Sequence, residues 1–131
     1  MTNEPTNKYK ELEDRMISFS KQILTFCRNN KTDPLLQPLL LQLVRSATSI
    51  GANYSEANNA SSKMDFRNKV FIAKKEAAET KYWLVVLAGE LQDETGLLRL
   101  QNECQSLLMI LQKIISSLRN NTGKSLEKGE M

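Results

Sequence analysis

Four stretches of this chain repeat apolar residues at alternating steps of three and four, a rhythm that suits helices packed along their lengths. The first is Tyr9, Leu12, Met16, Phe19, Ile23 and Phe26. The second is Leu36, Leu40, Leu43, Ala47, Ile50 and Tyr54. The third is Phe66, Val70, Ala73, Ala77, Thr80, Leu84, Leu87 and Leu91. The fourth is Leu97, Leu100, Cys104, Leu107, Leu111, Ile114 and Leu118, widened by Leu108, Ile110 and Ile115. Strand signals are absent. Five glycines and three prolines are too few for a turn-rich β fold, and good helix formers dominate. Long amphipathic helices with short polar connections predict an all-α fold, an antiparallel up-down-up-down four-helix bundle.

The expected divisions are a disordered lead at 1–7, the bundle at 8–119 and a flexible tail at 120–131. Helix one is expected from Lys8 to Arg28, ended by Asn29, Asn30 and Lys31. Asp33 before Pro34 is a good helix start, but Pro38 moves the expected regular start to about Leu39. Helix two should reach Glu56 or Ala57. Ser62 with Asp65 resembles a capping box with aspartate in the glutamate position, opening helix three. That helix should hold its rhythm to Leu91, and residues 93–96 should turn into helix four.

Met1 to Lys10 is polar, unlike a signal peptide, and no apolar run nears the ~20 residues that span a bilayer. The expected location is the cytoplasm. Cys27 and Cys104 fall on or beside apolar faces, which fits buried free thiols in a reducing compartment. There is no histidine, so the commonest general base and metal ligand is missing. Bundle di-metal sites use Glu-x-x-His pairs, which this chain lacks. Ser49 has no evident activating base, and no glycine-rich phosphate loop is present. The expectation is no catalytic residue, no metal and no cofactor.

Ser46, Ser49, Asn53 and Glu56 make a polar stripe beside the core seam of helix two, with Arg45 adjacent. It is either a polar site or a polar contact between helices or subunits. Helix three carries a second stripe of Lys69, Ile72, Glu76, Glu79, Trp83 and Val86. A solvated face would seldom hold Ile, Trp and Val in register, so a second copy is expected to cover it. The other reading is one broad core face with Trp83 at its edge. Arg45, Ser49, Asn53, Glu56, Glu76, Glu79 and Trp83 are therefore expected in a structural polar network or a subunit contact. Charged partners there set orientation more than they add stability.

The net charge of +3 is concentrated. Residues 63–81 hold six basic groups against three acidic ones, and the rest of the chain balances. Lys63, Arg67, Lys74 and Lys81 lie along one side of helix three and are candidates for following a phosphate backbone. The plainer alternative is solubilising charge beside a core seam. Most aromatics fall in the core seams, so recognition should be backbone-led.

Gln42-Leu43-Val44-Arg45-Ser46-Ala47-Thr48-Ser49-Ile50-Gly51-Ala52-Asn53, followed by Glu56-Ala57, resembles the helix-two signature of a known family. Phe66, Ile72-Ala73-Lys74-Lys75-Glu76-Ala77 and Glu79-Thr80-Lys81-Tyr82-Trp83-Leu84 resemble its helix-three signature. The family is that of four-helix bundle proteins related to those encoded in intervening sequences of bacterial 23S rRNA genes. The resemblance covers about residues 8–119. Tyr54-Ser55 and Asn58 depart from the common pattern of Ile-Ala and glycine, without affecting the fold.

The resemblance implies a ring-like homopentamer. The chain is also similar to accessory proteins of diversity-generating retroelements, which bind nucleic acid and partner a reverse transcriptase. The family's ribosomal label reflects gene location and implies no ribosomal role, and the resemblance brings no catalytic residues. Two functions of different class fit these features. One is an oligomeric accessory factor for RNA or DNA. The other is a scaffold that binds only protein.

Overall fold

The computed structural model describes residues 7–30 and 33–129, with side chains described as far as Arg119. Four α-helices and no strand are present among the described residues. They are α1 (Lys8–Asn29), α2 (Gln37–Asn58), α3 (Lys63–Leu87) and α4 (Glu94–Gly129), with a short 3-10 turn at Pro34–Leu36 before α2. Each helix packs against its sequence neighbour, and α1 also meets α4, as in a four-helix bundle.

The four expected seams form the core. Phe19, Ile23, Leu43, Ile50, Val70, Leu84, Leu87, Leu107 and Leu111 are completely buried. Each large apolar side chain contributes about 1.5–3 kcal/mol by leaving water. Tyr9 is a correction to the first seam. It is 55 % exposed and lies edge-on to Phe66, so the buried run starts inside the helix. In the fourth helix Ile115 is buried and Ile114 only partly so, because the broad apolar face rotates toward the core at that end.

Local chemistry sets the ends. Asn7, placed in the lead by its sequence, caps α1 by accepting from the Tyr9 and Lys10 amides; residues 1–6 of the lead lie outside the described residues. Helix α2 starts at Gln37, not near Leu39. Pro38 sits in the first turn, where its missing N–H would have no partner in any case. Asp33 caps the preceding turn by accepting from the Leu35 amide at 2.9 Å.

The start of α3 at Ser62 holds in altered form. Ser62 Oγ accepts from the Asp65 amide at 3.0 Å, while Asp65 accepts from Ser61 and not from Ser62. Aspartate is one methylene shorter than the usual glutamate and closes on a different amide. Helix α3 ends at Leu87, a turn earlier than expected. Ala88 is extended and Gly89 has φ +84°, a left-handed conformation that glycine adopts without Cβ strain. Leu91 is buried from the turn and keeps its place in the core. Asp93 belongs to the start of α4, where its carboxylate accepts from the Gly96 amide at 2.9 Å. The backbone of α4 stays helical to Gly129, within the span expected as a tail; side chains from 120 onward and residues 130–131 lie outside the described residues.

Gly51 lets α1 and α2 approach closely. A Cβ there would lie 3.2 Å from Met16 Cβ.

Candidate functional site

Helix α3 carries its charges on two different sides. On the side facing α2, the Arg45 guanidinium is ion-paired with Glu79 and reaches Glu76 at 3.3 Å. Gln42 accepts from Arg45 Nε at 3.3 Å and steadies the guanidinium. Nearly two turns into α3, Lys69 pairs with Glu56 at 2.8 Å. The carboxylate raises the Lys69 pKa through this contact. Two of the three acidic groups of the segment are thus held by α2, while the third, Asp65, serves the cap.

The expected polar network is only partly a network. Ser49 Oγ donates to the Arg45 carbonyl at 2.7 Å, and Asn53 Nδ2 donates to the Ser49 carbonyl at 2.8 Å. These side chains fold back onto their own helix, as such residues do when no outside partner wins. Ser46 crosses the seam. It is buried and lies 2.9 Å from the Thr80 hydroxyl. Thr80 also lies 2.8 Å from the Glu76 carbonyl, and Ser46 lies 3.3 Å from the Leu43 carbonyl. These acceptors allow both buried hydroxyls to be satisfied.

Trp83 is partly buried against the core, with Tyr82 edge-on at 5.2 Å between ring centres. Its Nε1 is buried with no acceptor among the described residues. Ile72 and Val86, on the same stripe, remain exposed.

The opposite edge of α3 is basic. Lys63, Arg67 and Lys81 are exposed, and Lys74 is half-buried over the Phe71 ring at 5.8 Å. None has a carboxylate partner among the described residues. The first two also border a cavity of about 960 Å³ at the end of the bundle, where Tyr9, Asn58 and Phe66 contribute walls. The structure therefore brings the four candidate cations onto one face and separates them from Glu76 and Glu79.

Two features escaped the sequence reading. Arg15 on α1 makes a two-pronged contact with Glu103 on α4, at 2.8 and 2.7 Å, and also reaches Ser106 at 2.7 Å. The hydrogen bond with Glu103 raises the arginine's pKa. The partners are far apart in sequence, and nothing local signals the pair. The second feature is an exposed row on α3 formed by Met64, Phe71, Tyr82 and Val85. Met64, Phe71, Ala78 and Val85 recur every seven residues, so this row was visible in the sequence.

Among the described residues, no helix is long and apolar enough to cross a membrane. Comparison with curated proteins finds no match. A crystal structure of a protein of unknown function from the S23 ribosomal protein family of Bacteroides thetaiotaomicron is similar, at 35 % identity and a TM-score of 0.69. The likeness covers 79 % of this chain and 97 % of that one. The model of the 23S rRNA-intervening sequence protein family matches residues 8–118. That span takes in all of α1, α2 and α3 and most of α4, and the chain belongs to the 23S rRNA-intervening sequence protein family.

Proposed function

We propose that this protein is a non-enzymatic, antiparallel four-helix bundle that assembles into a homopentamer and associates with RNA or DNA through the basic face of α3. The observation that carries the nucleic-acid reading is the separation of charge on that helix. Arg45 takes up Glu76 and Glu79, while Lys63, Arg67, Lys74 and Lys81 have no carboxylate beside them among the described residues. An uncompensated line of cations is what a phosphate backbone requires.

The antiparallel order is supported by contacts that run in opposite sequence directions. Arg45 meets Glu79 while Glu56 meets Lys69, and Glu13 meets Asn58 while Cys27 lies against Leu40. Assembly is supported by Ile72 and Val86, exposed on the stripe that also carries Trp83. Five copies is the number that the family resemblance implies. A ring repeats the basic line, so avidity raises affinity without a new kind of contact.

Light scattering at micromolar concentration tests assembly, and the expected mass is a multiple of 14.9 kDa. Fluorescence anisotropy with structured RNA and duplex DNA tests the basic face. Binding should be strongly weakened in the Lys74→Glu, Lys81→Glu double variant. A monomer contradicts the first part. Absence of binding, or binding indifferent to the double substitution, contradicts the second and favours a protein-only scaffold.

A further inference from the structure

The basic line of α3 does not stand alone. Phe71 lies four residues after Arg67 and three before Lys74, and Ala78 stands in the same relation to Lys74 and Lys81. Residues three and four apart are neighbours on a helix surface. The cations and the exposed apolar row are therefore adjoining ridges. Phe71 is 42 % exposed and Tyr82 60 % exposed, although each is a large ring that would gain by burial. Lys74 already rests over the Phe71 ring.

We propose that this pair of ridges takes single-stranded nucleic acid, with Phe71 and Tyr82 stacking on unpaired bases while Arg67, Lys74 and Lys81 hold phosphates. The proposal rests on the nucleic-acid function argued above and adds the form of the ligand. Every base has a π-face, so stacking on a protein ring is tolerant of sequence. A duplex keeps those faces inside its own stack and offers an exposed ring nothing comparable. Phe71 and Tyr82 are eleven residues apart, about 16 Å along the helix axis. A strand of a few nucleotides bridges that distance.

The line of cations beside the rings favours this ligand over an amphipathic partner helix. Such a helix inserts its apolar anchors into a groove. The cavities between α1 and α4 and at the end of the bundle include neither Phe71 nor Tyr82. Phe71 and Tyr82 instead stand exposed on the outer face of α3. At its amino-terminal end the basic line borders the second of these cavities, where Tyr9 adds another exposed ring.

The test is anisotropy with a labelled single strand of about 12 nucleotides, within the span of known single-strand sites, and with the duplex of the same sequence. The full-length wild type is compared with Phe71→Ala, Tyr82→Ala, Tyr82→Phe and the Lys74→Glu, Lys81→Glu double variant. Light scattering and circular dichroism are recorded for each. The single strand should bind more tightly than the duplex. Each alanine variant should weaken single-strand binding on the order of tenfold and leave duplex binding nearly unchanged, while Tyr82→Phe keeps wild-type affinity.

Equal affinity for both forms, lost in the charge variant but untouched by the alanine variants, overturns stacking and leaves the nucleic-acid function standing. No binding to either form overturns both and returns the ridge to a protein partner. Loss of assembly in the alanine variants makes the row a seam between copies and overturns the proposal.

Discussion

The Arg45 guanidinium on α2 is ion-paired with Glu79 on α3, and the same group reaches Glu76 one turn away. A buried pair would lose about 3 kcal/mol or more on removal of one partner. Here Arg45 is 48 % exposed and Glu79 37 % exposed, and solvent weakens the attraction. Glu79→Ala should therefore cost only about 0.2–1 kcal/mol, read as a small shift in the urea midpoint. A loss several times larger would mean that assembly buries the pair. Arg45→Ala should cost more than either glutamate variant, because it leaves two carboxylates facing each other.

Ser46 and Thr80 meet inside the α2–α3 seam, where neither is accessible. Thr80→Val removes a hydroxyl at nearly constant volume and should cost about 1 kcal/mol. Ser46→Ala should cost a similar amount. The double variant should be more stable than the sum of the two losses, since no lone hydroxyl is stranded. Strict additivity in the double-mutant cycle would show that the two groups do not interact.

The thiols should be silent in the folded protein. Burial pushes Cys27 up to about 11 and Cys104 up to about 12, although the Lys81 charge opposes the second shift. An aromatic disulfide reagent at neutral pH should titrate both cysteines in urea and react only slowly without it. Fast native reaction would place a thiol at the surface. The sign of the pH effect follows. The unfolded chain ionises these thiols near pH ~8.5, whereas the fold keeps them protonated. The stability they contribute is complete below that pH and is lost as pH rises toward about 11 to 12. Urea melts between neutral and strongly alkaline pH should show this fall, and each Cys→Ala variant should lessen its slope.

Ile72→Glu and Val86→Glu each place a charge on the stripe proposed to join subunits. Both positions are exposed in the single chain, so each variant should retain its helical circular dichroism. Its mass by light scattering should fall toward 14.9 kDa. The single tryptophan, Trp83, reports the same event, and its emission should shift to the red as the stripe becomes wet. An unchanged mass in both variants would move the subunit contact elsewhere.

The seams were legible because burial follows heptad spacing. Leu43, Ala47 and Ile50 on α2 and Val70, Ala73 and Ala77 on α3 are fully buried as their periods require. The Arg45 contacts with Glu76 and Glu79 were legible for a related reason, since they extend the same periods across one seam. The early end of α3 was not, because Leu91 keeps the seven-residue rhythm although it lies beyond the helix. A period reports which side is buried, not where the backbone turns. Ser49 and Asn53 share a face with Glu56, but spacing does not say whether a hydroxyl or amide prefers its own carbonyls to a neighbour. Phe71 and Tyr82 lie off the core seams, and a seven-residue period that marks the buried side carries no signal for a second row on the outer face.

If an oligomer holds nucleic acid through repeated basic lines, the salt dependence of its binding must show it. Each line offers four cations, Lys63, Arg67, Lys74 and Lys81. At about 0.7 to 0.9 per phosphate contact, one line gives a log–log slope near −3. A ring that engages several lines must exceed that. The slope should be clearly steeper than −3 for wild type and much shallower for the Lys74→Glu, Lys81→Glu variant at unchanged oligomeric mass. No binding at ~50 mM salt, or the same slope in both proteins, would contradict it.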